Sequence, residues 1–351
     1  MRINNLTLNN YRSYTNKTFN FKPGINILLG ENGVGKTNVV EAIDYLSLAK
    51  SFRGVEELEL IKHGSRQAFI EGNISVGPMI KKVSVIFTEK GRQILVNGKV
   101  VRKLSDLVKE VNVVLFEPKD TMLFIGPPKN RRDYLDISLS KLDESYLDEI
   151  IKYEKILKER NEILKSLELD KNLLDVNTRM LVEASRPIVE KRLKFVKDIN
   201  DILIKITRAL THTHEKIEVI YHPYMELNSE FEDNALDLLN KALEGDLKHK
   251  ATSIGVHRED FSVSLNDKDV SVSGSQGENR IVAIALKLAP YFLVSDKDKK
   301  PIVILDDVAS ELDEEHQNRL LKFLKGFEQV FITATKLIVS GASHYEIKKE
   351  N

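Results

Sequence analysis

Three groups of residues could do chemistry. The first is the stretch "GENGVGKTN", residues 30–38, in which Gly30, Gly35, Lys36 and Thr37 match the spacing G-x-x-x-x-G-K-[ST]. In such a loop, backbone N–H groups and the positive end of the following helix cradle phosphates. The lysine reaches the outer phosphates and the threonine hydroxyl ligates Mg²⁺. An ordinary strand-to-helix turn is the bland reading. The second group is Asp306 and Asp307, which end the apolar run Ile302 to Leu305 in "KKPIVILDDVASELD". One carboxylate can hold Mg²⁺, directly or through water, and the other can orient or deprotonate an attacking water. By itself the pair could be a solvated acidic turn. The third group is the small, polar segment Ser271 to Gly277. Ser275 there, flanked by glycines at a helix start, offers a second anion site. The same serine also reads as a plain N-cap.

Each group needs an element to place it. "INILLG" before the first loop has the apolar continuity of a buried parallel strand. After the loop, Val39, Val40, Ile43, Leu46 and Leu48 recur at helical spacing. Strand, glycine loop and helix are the arrangement a phosphate site requires. A strand ending in Asp306 would face the ligand crevice of an open α/β sheet. Beyond Ser275, Ile281, Ile284, Ala285, Leu288 and Phe292 lie on one helical face.

The middle of the chain is helical in pattern from about Asn130 to Ala209. Tyr146, Ile150, Tyr153, Leu157, Leu164 and Leu167 form one stripe, which Arg160 interrupts. Phe195, Ile199, Ile202, Ile206 and Ala209 form another, and "LELDKN" reads as the turn between them. Two long helices pairing antiparallel are expected, with stripes that serve as core packing. "IEVIYHPY" returns to strand character, and whether it belongs to this arm or to the head is left open.

Composition narrows the class. The chain has 351 residues, 42% of them apolar and 30% charged, which predicts a globular protein of about two or three structural units. Lys+Arg and Asp+Glu are 53 each. Zero net charge argues against holding nucleic acid by bulk charge but leaves room for a local basic face. Without cysteine there are no disulfides or thiolate metal sites, which fits a reducing compartment. No apolar run approaches the roughly 20 residues of a membrane span and "MRINNLTLNNYRSY" is no signal peptide, so a soluble, cytoplasmic protein without a membrane partner is expected.

Phosphate loop, serine signature and acid-ended strand, in this order, resemble ABC-type ATPases. The wording "LNNYRSY", "GENGVGKTNVVEAIDYL", "KSFRG", "VVLFEPKD", "PPKNRRDYLD", "VHRED", "SQGENR", "ILDDVASELD" and "FITAT" more closely resembles the RecF family of bacterial recombinational-repair ATPases. The resemblance implies an α/β fold: an ABC-type P-loop ATPase head with a mixed sheet, and an all-helical arm inserted between P-loop and signature. Residues 1–120 and 251–351 would form the head and 121–250 the arm, with the point of return after 212 left open. Gly30, Asn32, Gly33, Gly35, Lys36, Thr37 and Asn38 match the family's phosphate loop, and Arg12 sits where RecF- and SMC-like heads place a phosphate-contacting arginine. Ser275, Gln276 and Gly277 match the signature. Asp306 matches the Mg²⁺ aspartate beside Thr37, and Asp307 stands in the place of a catalytic glutamate. Ser310, Leu312 and Asp313 match the D-loop. The implied cofactors are ATP and Mg²⁺. The implied partners are duplex DNA, with a preference for gaps or junctions, RecR, and a second copy of the chain joined by ATP. The implied setting is recombination, replication and the SOS response.

Several residues depart from that pattern. Glu278 replaces a glutamine, Thr335 stands in place of the switch histidine, and Lys336 replaces an aspartate. Glu117 is a poor match to a Q-loop glutamine, and Val34 replaces a polar loop residue. The short acid at Asp307 and the missing histidine imply slow, DNA-stimulated hydrolysis. For DNA the basic residues are Arg131 and Arg132, the run Arg186, Lys191, Arg192, Lys194 and Lys197, and Lys81 and Lys82. Modest, salt-sensitive binding through phosphates is expected. A transporter motor subunit would have its signature about a hundred residues after the P-loop and no long arm. A small-molecule P-loop kinase would need neither Ser275 nor "SELD".

Overall fold

The computed structural model describes residues 1–108, 110–211, 216–308 and 312–349. In chain order come β1 (Arg2–Tyr11), β2 (Tyr14–Asn20), β3 (Gly24–Leu29), α1 (Lys36–Leu48), β4 (Gln67–Val76), β5 (Met79–Thr88), β6 (Gly91–Val96), β7 (Lys99–Val100), α2 (Leu104–Val108) and β8 (Val113–Phe116). Next are α3 (Pro128–Leu142), α4 (Glu144–Lys165), α5 (Lys171–Thr211), β9 (Ile217–His222), α6 (Phe231–His249), β10 (Asp260–Leu265), β11 (Lys268–Asp269) and α7 (Val270–Ser273). The chain closes with α8 (Gln276–Leu293), β12 (Ile302–Leu305), α9 (Glu314–Leu324), β13 (Gln329–Ala334) and β14 (Ser343–Glu346).

Two compact units result, one of residues 1–121, 202–215 and 275–351, the other of 122–201 and 216–274. The first holds two sheets. One is a meandering sheet in the order β2-β1-β4-β5-β6-β7. The other is the parallel sheet β14-β3-β13-β12-β8. Strands inside a parallel sheet are covered on both faces and read as unbroken apolar runs; "IVIL" of β12 is buried throughout. Helix α1 shares one core with both sheets: Val39, Val40, Ile43 and Leu46 are wholly buried. Glu41, Asp44 and Ser47 on its other faces are buried as well, which is why its periodicity is weaker than that of a surface helix.

The second unit is helical in its bulk. Arg192 donates to the Tyr146 hydroxyl at 3.0 Å and Arg160 to the Thr178 hydroxyl at 3.1 Å. These pairings put the two ends of α4 against α5 in antiparallel register, as the stripes predict. Arg160 does not break the seam. It lies within it, 1% exposed, held by Asp246 at 2.8 Å and the Thr252 hydroxyl. Leu167 stands out in the turn, fully exposed. A three-stranded sheet, β11-β10-β9, is added to the expected helices. Because β9 pairs with β10, Val219 opposite Val263, the segment 251–274 stays with this unit. The first unit takes up residues 202–215 and then the chain from Ser275 onward, so residues 251–274 group with the second unit.

The basic residues expected to meet DNA are largely spent on this packing. Arg192 is 1% exposed between Glu259 at 2.6 Å and Asp136 at 2.7 Å, so it has no face to offer a phosphate. Lys191 is bound by Asp143 and Glu149, and Arg186 by Glu232. Arg131 grips both carboxylate oxygens of Asp260 and the carbonyls of Leu123, Phe124 and Gly126. Arg132 donates to the Glu259 carbonyl at 2.9 Å. The motifs "PPKNRRDYLD" and "VHRED" are therefore two halves of one staple. Lys81 and Lys82 pair with Glu110 and Glu71, while Lys194 is exposed.

Arg131→Met is expected to destabilise the second unit by about 1–2 kcal/mol. It leaves the carbonyls of Leu123, Phe124 and Gly126 without this donor and the half-buried Asp260 without its counter-charge. A lowered urea midpoint at unchanged slope would show it, and a wild-type midpoint would refute the staple.

Candidate nucleotide-binding site

The loop from Gly30 to Gly35 runs from the C-terminal end of β3 to the first turn of α1. Gly35 caps the helix at φ 107°, with no side-chain cap among the described residues and no acid in the first turn. The N–H groups of Asn38 and Val39 turn back to the Gly35 carbonyl, so those of Lys36 and Thr37 are the ones left to an external acceptor, which is how a helix start receives an anion. A Cβ at Gly35 would lie 2.8 Å from the Ser13 hydroxyl and 3.0 Å from that of Tyr14, and one at Gly30 would lie 2.4 Å from the Ile347 carbonyl. Only glycine fits either place. Tyr14 and Ser13 brace the loop from outside: the tyrosine hydroxyl donates to the Gly35 carbonyl, and Asn38 donates to Ser13. Val34 packs on the core beneath, which explains an apolar residue there. Lys36 is folded over the loop, its Nζ donating to the carbonyls of Gly30 at 2.7 Å and Glu31 at 2.8 Å. Burial lowers its pKa, opposed by the charges of Asp307 and Asp306.

Parallel pairing of β3 with β13 and of β13 with β12 carries Asp306 to the same sheet edge. The Thr37 hydroxyl reaches Asp306 Oδ1 at 3.3 Å, and the Thr333 hydroxyl donates to the same oxygen at 2.7 Å. Burial raises the Asp306 carboxyl above its ordinary range, with these hydroxyls pulling the other way. Asp307 follows in the left-handed region, φ 51°. A threonine hydroxyl and an aspartate in contact are hard oxygen donors that fit Mg²⁺, which takes one or two protein oxygens and completes its shell with water and substrate phosphates. Among the described residues, no cluster of three His, Cys, Asp or Glu offers a cage of its own.

Arg12 is differently occupied than expected. Its guanidinium clasps the buried Glu41 of α1 at 2.7 and 2.9 Å and also donates to the Glu59 carbonyl. Three of its five N–H donors are thereby taken. Arg53, which the sequence reading passed over, is the exposed arginine at the loop. It donates to Asn38 Oδ1 at 3.3 Å, and its charge is felt at Asp306. The signal was present in "KSFRG", but nothing in its spacing ties residue 53 to residues 38 and 306. Glu117 follows β8, the neighbour of β12, so it stands at the crevice edge although it is no glutamine. Burial pushes its carboxyl up to about 7, against the pull of Lys119.

Ser275 caps α8 in a full capping box: its hydroxyl accepts from Glu278 N–H at 3.2 Å, and its own N–H donates to the Glu278 carboxylate at 2.7 Å. Gln276 and Gly277 are exposed on the first turn. The structure shows the N-cap reading of the serine: this helix start is occupied by its own side chains. Asp313 caps α9, accepting from His316 N–H at 2.9 Å. Ser310 lies outside the described residues. Thr335 and Lys336 are exposed just beyond β13.

A phosphate loop and an acid pair on one edge of a parallel sheet, with a meandering sheet beside it and a helical unit inserted before the signature, define an ABC-type P-loop head. Residues 2–345 match the RecF/RecN/SMC N-terminal domain family. The chain is 36% identical, over 99% of its length and 96% of the relative's, to the DNA replication and repair protein RecF of Halalkalibacterium halodurans. It is 36% identical to that of Clostridium novyi over 96% of this chain and 94% of the other. A solved structure of the recombination mediator protein RecF with ATP, in the RecFOR pathway, superposes with a TM-score of 0.90 at 31% identity, covering 99% of this chain and 95% of that one. A Pyrococcus furiosus Smc head shares the fold at a TM-score of 0.58 and 16% identity, covering 99% and 94%. The chain belongs to the RecF family.

Proposed function

We propose that this chain is an ATP-gated DNA-binding protein of recombinational repair. The observation that carries the nucleotide part is the meeting of Thr37 and Asp306 at 3.3 Å beside an uncapped helix start. ATP, the ligand of the solved RecF neighbour, lays its phosphates on the α1 N–H groups. Lys36 exchanges the carbonyls of Gly30 and Glu31 for phosphate oxygens. Thr37 and Asp306 are the residues that would hold Mg²⁺, which when bound would supply charge neutralisation for the outer phosphates. Asp307 orients the attacking water. The nucleotide's open side is covered by Ser275, Gln276 and Gly277 of a second copy, with Ser310 and Asp313 of the D-loop alongside. Two nucleotides thus join two heads around duplex DNA, and slow, DNA-stimulated hydrolysis separates them. The relatives named for DNA replication and repair support the DNA partner, and the RecFOR pathway of the solved neighbour supports RecR. Loading of the recombinase near gaps or junctions, in the cytoplasm, completes this reading. With most of the arm's arginines paired internally and Lys81 and Lys82 paired on β5, the exposed Lys194 and Lys197 are the DNA contacts left to propose.

Sedimentation of Asp307→Asn tests the mechanism. The neutral side chain leaves Asp306 in place but removes the charge that orients water, so hydrolysis should fall about 100-fold or more. The protein should sediment as a long-lived dimer with ATP and as a monomer with ADP, and duplex DNA should shift only the ATP form, less as salt rises. Equal dimerisation in ADP would refute ATP gating. A wild-type hydrolysis rate would remove Asp307 from its role.

A further inference from the structure

We propose that Thr333 is a positioning residue that sets both acids of the site through one hydroxyl, an inference that rests on Asp306 and Asp307 serving ATP hydrolysis. Thr333 lies in β13, one residue beyond the ladder pair Leu305–Ile332, and so stands level with the start of the acid turn. It is 1% exposed in a strand whose neighbours Phe331, Ile332 and Ala334 are apolar and buried. A hydroxyl there is costly unless its bonds are made.

Both of its bonds run to the acid pair. The hydroxyl donates to Asp306 Oδ1 at 2.7 Å and accepts the Asp307 N–H at 2.8 Å. The first bond, with Thr37 reaching the same oxygen, holds the Asp306 carboxylate from two sides. The second anchors the peptide between the acids. That anchor holds a turn in which Asp307 has a φ of 51°, a left-handed conformation that is sparsely populated even for aspartate. With the anchor gone, the peptide is free to relax and carry the Asp307 carboxylate away from the crevice.

Thr333→Val keeps the shape and strand preference and deletes only the hydroxyl. Three quantities are read: affinity for a fluorescent ATP analogue without metal, the Mg²⁺ concentration at half-maximal thermal stabilisation by ATP, and kcat against KM. Valine should leave metal-free affinity within about twofold, raise the Mg²⁺ midpoint and lower kcat by roughly 10- to 100-fold, the usual effect of losing an outer-shell partner. Thr333→Ser should restore both. A wild-type midpoint and kcat in the valine variant overturn the inference, as does a serine variant that behaves like valine. If valine does not fold, the serine variant decides alone, since a shifted midpoint with the hydroxyl present contradicts positioning. Asp306→Asn is the control. If it shifts the midpoint and Thr333→Val does not, only this inference fails. If it shifts nothing, the acid-pair reading fails first.

Discussion

Lys36→Arg is expected to keep the fold and lose every ATP-dependent property together. The side chain is 8% exposed in a loop that closes within 3 Å around its ammonium, through the carbonyls of Gly30 and Glu31. An ammonium is a compact point charge that can turn from those carbonyls to phosphate oxygens. A guanidinium is a planar fork, too wide for the same space and unable to reuse its geometry. The loop cannot widen to receive it, because Gly35 is hemmed by Ser13 and Tyr14 and Gly30 by Ile347. The expected loss in ATP affinity is at least about 100-fold, or about 2.8 kcal/mol, in keeping with one or two charge-assisted hydrogen bonds forgone. Titration with a fluorescent ATP analogue measures it, and an unchanged circular dichroism melt shows the fold is kept. Dimerisation and DNA binding should disappear with nucleotide binding. DNA binding equal to wild type in ATP would mean that the phosphate loop is not the gate.

Ser275→Arg should bind ATP as a monomer and fail to dimerise. Its own phosphate loop is untouched, so single-site affinity stays near wild type. At the signature, the substitution destroys the capping box with Glu278 and, on the proposed shared site, puts a bulky side chain where the second copy's triphosphate would seat. Removing the cap alone should destabilise the start of α8 by about 1 kcal/mol, too little to unfold the head. The discriminating experiment mixes Ser275→Arg with Lys36→Arg. Their heterodimer has one site with both halves intact and one with both damaged. Partial ATP-dependent association should return in the mixture, seen by light scattering, where neither variant alone shows any. Full dimerisation of Ser275→Arg by itself would sink the shared site and with it the DNA clamp.

Local chemistry was legible wherever a residue's role depends on its neighbours in the chain. Gly35, Lys36 and Thr37 must follow a strand and open a helix, and β3 and α1 do bracket them. The run "IVIL" had to be a buried strand ending in Asp306, and β12 spans those four residues. The antiparallel α4–α5 pair followed from two apolar stripes and a turn. What was not legible was charge pairing over long separations. "RPIVEKRLKFVK" reads as a basic face because its partners Asp136, Glu232 and Glu259 are up to 67 residues away. Arg160 reads as a break in the seam because Asp246 is 86 residues distant. The strand pair β9–β10 was hidden for the same reason, and with it the boundary at Ser275.

The sequence by itself determined that this chain carries a phosphate loop, an acid-ended strand and a serine-led helix in the order of an ABC-type head, because those signals are short-range constraints of φ, turn and period. Tertiary structure alone decided which charges are spent. It turned Arg192 inward to neutralise the buried Glu259, paired Arg131 with the half-buried Asp260, clasped Arg12 to Glu41, brought Arg53 to the loop, and set Thr333 between Asp306 and Asp307. The physical reason is that a buried charge or hydroxyl must find a partner wherever the fold supplies one. That partner is fixed by proximity in space, which the order of residues along the chain does not record.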